Sequence, residues 1–205
     1  WLQRDPIDAA SGDPNLYRYA GNDPLNHTDP TGKKVVISAN FSEKDKKVVE
    51  DQLNQLRNSK CLGDLMKRLE DAEEIILIEP AKNAPPEFQL KSRIGLFHPT
   101  ALDEDKDGIR TGAIFYDPYT TFWIKCGGET LPFPPDVVLA HEMGHAYGLS
   151  DPPTDQDYLT GQCIDTFENP YRKEKGLPER PCYGCERVKP PSPKPEKPKS
   201  PRPKR

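Results

Sequence analysis

Apolar residues are scarce in this chain of 205 residues, at 34% of the total, whereas ordinary globular domains hold about 45–50%. A run of about 18 apolar residues is lacking, which argues against a transmembrane helix. An excess of one charge is also lacking, because 29 Lys and Arg residues nearly balance 33 Asp and Glu residues. The resulting net charge of −4 gives no indication of nucleic-acid binding.

Cysteine is also infrequent. Five cysteines are too few for a disulfide scaffold, and their odd number leaves at least one free thiol. Cys182-Tyr-Gly-Cys185 has the spacing of a zinc knuckle or a redox pair, but no second C-x-x-C accompanies it. A disulfide or plain thiols are the alternatives at these two positions.

Composition divides the chain into three parts. Residues 1–32 are rich in Asp-Pro turns, and residues 33–188 carry periodic apolar patterns. Residues 189–205 contain seven Pro, seven basic residues and one Glu, so we expect a disordered tail, either solvated or bound to an anionic surface. The chain opens at Trp1 without an initiator Met or a hydrophobic leader, so we expect it to be a piece of a longer protein.

The middle part mixes strand and helix patterns, which indicates a small α+β domain. Ser42 offers an N-cap oxygen to a first helix, and a second helix runs through residues 62–69. Four segments are predicted to be strands, the last two forming a hairpin around Asp117-Pro118: residues 34–39, 74–79, 111–116 and 121–124.

The segment 138–151, VLAHEMGHAYGLSD, carries the strongest chemical signal. Pro134-Pro135 suits the first turn of a helix, on which His141 and His145 lie on one face, one turn apart. Two imidazoles at this spacing can direct nitrogens to one zinc ion, at about 2.0–2.1 Å. Glu142 follows His141 directly and can take a proton from bound water, which makes it the candidate catalytic residue.

Catalytic zinc requires a third protein ligand and an open position. Gly148 can end the helix in a left-handed turn and bring the chain back towards the metal, so Asp151 is the first candidate. Glu168 is the rival, since a second helix could present its carboxylate. The other role for Glu168 is a structural ion pair with Arg172 at i,i+4.

This segment, read as His141-Glu-x-x-His145-x-x-Gly148-x-x-Asp151, resembles the metzincin peptidases, with Asp in place of the usual third His. Residues 167–184 resemble the end of metallopeptidase-like toxin domains. The resemblance implies a zincin-like α+β fold with an active-site helix and a zinc-dependent peptidase that acts on a protein substrate. The alternative is a target-binding module whose metal is structural, and therefore closed by four protein ligands.

Residues 1–32 resemble the end of the Rhs repeat-associated core domain, with Asp8 and Lys33 as departures from its pattern. The resemblance implies self-cleavage near Lys33 by Asp5 and Asp29. The alternative is that both aspartates are ordinary Asp-Pro turn residues. It also implies a toxin that is secreted and delivered into a target cell, an Rhs shell that holds it before release, and a cognate immunity protein. The matching segments are residues 4–7, 15–19, 22–26 and 29–32.

An acidic loop imitates the start of an EF-hand. Asp103, Asp105 and Asp107 have the alternate spacing of calcium ligands, and Gly108 follows them. The bidentate Glu required at the twelfth position is missing, because Ile114 stands there. A turn leading into the next strand is the simpler interpretation.

Overall fold

The structure is a computed structural model that describes residues 34–72, 74–86, 95–99 and 108–191. The segment that resembles the Rhs core, with Asp5 and Asp29, lies outside the described residues. The acidic loop from Asp103 to Asp107 and most of the Pro-rich tail lie outside them as well.

The larger sheet has four strands in the order β1-β2-β4-β3. Strands β1, β2 and β4 run parallel, and β3 pairs antiparallel with β4 at one edge of the sheet. Every residue of β2 and β4 is buried, as expected for central strands covered on both faces. The bounds are β1 (Val35–Ile37), β2 (Ile76–Pro80), β3 (Leu96–Pro99) and β4 (Gly112–Tyr116).

Two helices follow β1, and the first begins where the sequence predicts. Helix α1 (Glu43–Arg57) has Ser42 as its N-cap, and the Ser42 side chain accepts a hydrogen bond from the Asp45 backbone N–H. Helix α2 (Gly63–Asp71) then leads back to the sheet. Their buried residues join the main core: Val49, Leu53, Leu56, Met66 and Leu69.

The second sheet has three strands in the order β6-β5-β7: β5 (Phe122–Cys126), β6 (Glu129–Phe133) and β7 (Glu186–Val188). The predicted hairpin of β4 with β5 is therefore wrong. The β4 edges are taken by β2 and β3, so β5 pairs with β6 instead. Gly127 and Gly128 make the turn of that hairpin, with φ of 56° and 95°, where glycine has no steric penalty.

Helix α3 (Pro135–Ala146) is buried almost all round. It packs against β3, β4 and α1 on one side. On the other side it contacts a π-helical segment, Ile164–Glu168, which continues into α4 (Asn169–Glu174). The prediction that Pro134-Pro135 opens this helix is confirmed, since Pro134 is the N-cap and Pro135 the first helical residue.

A disulfide links the end of β5 to the segment just before β7. Cys126 at the end of β5 is bonded to Cys185, just before β7, across 59 residues of sequence. The C-x-x-C pair Cys182/Cys185 therefore forms neither a zinc site nor an internal disulfide, because Cys185 is already bonded. Cys61, Cys163 and Cys182 are free, which confirms the expected surplus of thiols.

The described residues form a mixed α+β domain with four α-helices and two sheets, so the predicted fold class is confirmed at this level. Within the described ranges, no helix combines the length and the hydropathy needed to cross a membrane.

Candidate metal centre

Helix α3 places the two predicted histidines side by side. The ring centroids of His141 and His145 are 5.1 Å apart, as expected for neighbours one turn apart on one helix face. His141 is buried, and His145 is half-buried at the mouth of a cleft. The predicted helical pairing of these residues is therefore present.

Gly148 turns the chain back after the helix, as predicted. Its φ is 92°, and a Cβ at this position would lie 2.1 Å from the carbonyl oxygen of Gly108. Any other residue would therefore be strained in its backbone and would clash with a neighbouring segment. The Leu149 N–H donates to the Gly144 carbonyl at 3.0 Å, and the chain then returns to bring Asp151 opposite the histidines.

The side chains of His141, His145 and Asp151 converge. Their ligand atoms all lie within 4.8 Å of one another. Nε2 of His141 is 3.5 Å from Oδ1 of Asp151, and Nε2 of His145 is 3.1 Å from Oδ2. Two ligands at 2.0–2.1 Å from a tetrahedral ion are separated by about 3.4 Å, so both distances suit a shared metal.

In the described part of the chain, one oxygen of the Asp151 carboxylate has no hydrogen-bond partner, and its ion-pair contact with Nε2 of His141 is long at 3.5 Å. Oδ1 of Asp151 is buried and accepts no hydrogen bond among the described residues, whereas buried polar atoms are normally paired. It faces the same space as the two Nε2 atoms. The group His141, His145 and Asp151 could therefore hold a metal ion, with two nitrogen ligands and one oxygen ligand.

The second nitrogen of each imidazole is anchored from behind. Nδ1 of His141 lies 3.0 Å from Oε2 of Glu168, and Nδ1 of His145 lies 3.2 Å from the carbonyl oxygen of Leu149. Both acceptors take a hydrogen bond from Nδ1, so Nε2 of each ring is the nitrogen that faces the candidate metal position and would bind a metal once it is deprotonated. Cys163, with its sulfur 3.3 Å from Nδ1 of His145, also packs on this rear side.

Hydrogen bonds to two arginines hold Glu168 behind His141. Its Oε1 accepts from Nε of Arg172 at 2.8 Å, and its Oε2 accepts from Nη1 of Arg180 at 3.1 Å. The ion pair predicted between Glu168 and Arg172 is therefore present, and the carboxylate is fully buried at the end of the π-helical segment. Glu168 lies behind His141, whereas Asp151 lies in front of it with the other ligand atoms.

Neighbouring charges shift the pKa values of the residues at this site. Burial by itself would lower the pKa of His141, but the carboxylates of Asp151 and Glu168 outweigh it and raise the pKa to about 10. Burial likewise opposes ionisation of Glu168, but His141, Arg180 and Arg172 lower its pKa to about 2. The two imidazoles also hold the pKa of Asp151 well below its ordinary range, against the effect of burial. Both carboxylates are thus kept as anions.

Glu142, the predicted general base, lies on the same cleft with 6% of its surface exposed. Burial raises the pKa of its carboxyl group above the ordinary value, and the neighbouring imidazoles oppose this rise. The backbone just before edge strand β3 covers it, because a Cβ on Gly95 would lie 2.6 Å from Oε1 of Glu142. The backbone of Phe97 also hydrogen-bonds to the carboxylate.

The cleft has a volume of about 590 Å³ and is lined on one side by β3. Tyr183 lies opposite, with its ring stacked on His141 at 6.4 Å between centroids and 27° between planes. Burial and the charge of Asp151 both raise the pKa of its phenol, which stays protonated as a donor. Tyr158, the other phenol considered from the sequence, is exposed at 68% and does not line this cleft.

Sequence reasoning missed three supporting groups: Arg180, the carbonyl of Leu149 and the β3 edge at Gly95. Arg180 is 12 residues from Glu168, too far for any helical spacing rule, and only the fold brings them together. The Leu149 carbonyl is foreseeable, because a chain that reverses at Gly148 passes close to His145.

No protein-family model matches this chain, and no curated protein or solved structure is found to be similar to it.

Proposed function

We propose that this chain contains a zinc-dependent peptidase, the toxin domain of an Rhs-type effector that is secreted and delivered into a target cell. The observation that carries the proposal is the convergence of His141, His145 and Asp151 beside the buried carboxylate of Glu142. Two histidines four residues apart on a helix, with a glutamate next to the first, are typical of zinc peptidases.

The donor set favours zinc. Two imidazole nitrogens and one carboxylate oxygen are typical of catalytic zinc sites, whereas calcium and magnesium prefer oxygen ligands alone. Among the described residues, three side chains could act as ligands. Catalytic zinc sites likewise have three protein ligands and keep the fourth coordination position open for water or substrate. Zinc held there would supply Lewis acidity, polarising a carbonyl and lowering the pKa of water to about 7.

Glu142 is the proposed general base. Its carboxylate would take a proton from the attacking water and pass that proton to the amine that leaves. Burial suits this role, since a raised pKa brings the carboxyl group closer to the pH at which it must both accept and release a proton. Tyr183 is protonated, lines the cleft and hydrogen-bonds to Asp151, and its O–H would turn from Asp151 to donate to negative charge that develops on the carbonyl oxygen.

Edge strand β3 supports a peptide as the substrate. It ends the four-stranded sheet of the described chain, and Gly95, Leu96 and Phe97 line the cleft next to Glu142. An extended peptide can pair with the backbone of such an edge, which would bring a peptide carbonyl past the metal position. An antiparallel edge strand above an active-site helix also supports the zincin-like assignment.

Residues 1–32 support the biological setting. Their resemblance to the end of an Rhs core suggests that the shell holds the toxin before self-cleavage near Lys33. A toxin made inside its producer also suggests a cognate immunity protein, and the cleft is the surface that such an inhibitor would have to cover.

The decisive variant is Glu142→Gln, which nearly preserves shape and leaves the three ligands intact. We expect it to retain zinc and to lose about 10²–10⁴-fold or more of the hydrolysis of fluorescently labelled casein. Expressed in the compartment that holds the target, the wild type should arrest growth and Glu142→Gln should not. Glu129→Gln, an exposed acid on β6, is the matched control and should behave as the wild type.

If zinc-loaded Glu142→Gln stays as toxic as the wild type, peptide hydrolysis is not how the domain acts. The target-binding module with a structural metal would then be the better explanation. Metal analysis together with a solved structure of the metal-bound site separates the two, because a structural site is closed by a fourth protein ligand and a catalytic site keeps that position open.

A further inference from the structure

Three sulfur atoms lie together at the rim of the cleft. Cys126 and Cys185 form the disulfide, and the free thiol of Cys182 lies 3.8 Å from Sγ of Cys185. This separation is van der Waals contact between two sulfurs, so the thiol is already next to the atom that a disulfide exchange would attack. Nothing in the proposed peptidase mechanism uses Cys182.

The sulfurs differ in their access to solvent. Cys126 is 3% exposed and belongs to the main core, whereas Cys182 and Cys185 are half-buried. A soluble reductant therefore reaches the Cys182 side of this group more readily than the Cys126 side. The rate of exchange depends on this access as well as on the thiolate fraction.

We propose that Cys126, Cys182 and Cys185 form an intramolecular thiol–disulfide exchange site. The thiol of Cys182 loses its proton, and its sulfur attacks Sγ of Cys185. A bond between Cys182 and Cys185 forms while the bond between Cys185 and Cys126 breaks. The electron pair leaves on Cys126, which takes up a proton, so the step needs no external oxidant or reductant.

Exchange replaces a long cross-link by a short one. The first disulfide spans 59 residues, whereas the C-x-x-C disulfide closes a loop within one short segment and no longer links that segment covalently to β5, which stays paired with β7. An exposed dithiol can then reduce the Cys182–Cys185 bond, becoming a disulfide itself. The buried cross-link is thus opened in two steps, through the accessible thiol.

The segment released by exchange carries cleft residues. Tyr183 lies between the two cysteines and stacks on His141, and Arg180 just before them binds Glu168. Two backbone hydrogen bonds that involve no sulfur also hold this segment, from Tyr183 N–H to the Leu159 carbonyl and from Gly184 N–H to the Asp157 carbonyl. The exchange site would therefore loosen one wall of the cleft without unfolding the domain.

Linkage mapping tests the exchange without reference to activity. Oxidised full chain is incubated at mildly alkaline pH, quenched with acid and an alkylating agent, and digested with trypsin without reduction. Trypsin places Cys126 in the peptide 126–172, together with the free Cys163, and places Cys182 and Cys185 in the peptide 176–187. We expect two populations. In the first, the two peptides are cross-linked through Cys126 and Cys185. In the second, the 176–187 peptide is free and two hydrogens lighter than its reduced form, because Cys182 and Cys185 are bonded to each other, and Cys126 is alkylated.

Cys182→Ser should show the cross-linked peptides alone and should be reduced several-fold more slowly by dithiothreitol. Cys61→Ser removes another half-buried free thiol and should match the wild type. If the wild type yields no free oxidised 176–187 peptide, or if Cys182→Ser is reduced at the wild-type rate, the exchange site is refuted. Neither result bears on the peptidase proposal, because both measurements follow sulfur linkage alone.

Discussion

Replacement of Glu168 by Gln tests the arrangement of the metal centre most directly. The carboxylate is fully buried and accepts from Arg172, Arg180 and His141. Without that charge, the buried guanidinium of Arg172 is left with neutral acceptors only, which are the amide oxygen of the new side chain and the carbonyls of Pro132 and Pro178. Breaking a buried ion pair in this way costs about 3–5 kcal/mol of folding free energy.

The same change acts on the metal through His141. A residue that orients a ligand from behind typically contributes 10–100-fold in metal affinity, which is about 1.4–2.7 kcal/mol. Glu168→Gln should therefore still bind zinc, but 10–100-fold more weakly. Zinc binding is weakened rather than abolished because Nε2 of His141 remains in place.

Two measurements separate these effects. Denaturant unfolding in the presence of a chelator gives the free energy of the metal-free fold, since bound metal would add its own stabilisation. Competition with a chromophoric chelator then gives the zinc affinity of the folded protein. Glu179→Gln, an exposed acid in the segment after α4, is the control and should change neither value.

Either of two outcomes would refute this reasoning. If Glu168→Gln unfolds with a free energy within about 1 kcal/mol of the wild type, the buried ion-pair network is not structural. If it loses zinc entirely while Asp151→Ala retains it, Glu168 rather than Asp151 is the third ligand.

Three further predictions concern the metal, the disulfide and pH. Purified protein should hold about one zinc per chain by elemental analysis, lost in His141→Ala or His145→Ala; stoichiometric zinc in the double variant would exclude the site. Replacing both Cys126 and Cys185 by Ala should lower the free energy of unfolding by about 4 kcal/mol, because the 59-residue cross-link no longer restricts the unfolded chain; an unchanged denaturation midpoint would contradict this. Hydrogen bonds from the side chains of the Ser59–Cys61 turn and from its backbone lower the pKa of Glu174 to about 2. The ionised carboxylate therefore stabilises the folded state above pH 4.5, and this contribution is lost as the pH falls towards 2. The corresponding decrease in the free energy of unfolding between these pH values should be absent in Glu174→Gln.

Short-range patterns in the sequence were sufficient for the helix that carries the chemistry. The spacing of His141 and His145, the proline start of α3 and the left-handed turn at Gly148 all follow from rules that act within one or two turns. The cap at Ser42 is local in the same sense. Such features were predictable because the atoms involved are close along the chain.

Pairings across long stretches of sequence were decided by the tertiary structure. Strand β4 pairs with β2 on one edge and with β3 on the other, which leaves no edge for β5. Cys185 is bonded to Cys126, 59 residues away, rather than to its C-x-x-C neighbour. Local spacing carries no information on these choices, since they depend on which surfaces the whole core brings together.

Residue spacing predicted two imidazoles and a glutamate on one helix, but it left two acids, Asp151 and Glu168, as candidates for the third ligand. Only the tertiary structure placed Asp151 in front of the imidazoles and Glu168 behind His141. The physical reason is that Glu168 is held by two guanidinium groups whose positions depend on the packing of α4 and of the segment that follows it. A carboxylate already neutralised by buried arginines orients an imidazole, whereas Asp151, with a buried oxygen that accepts no hydrogen bond, is the one able to bind a cation.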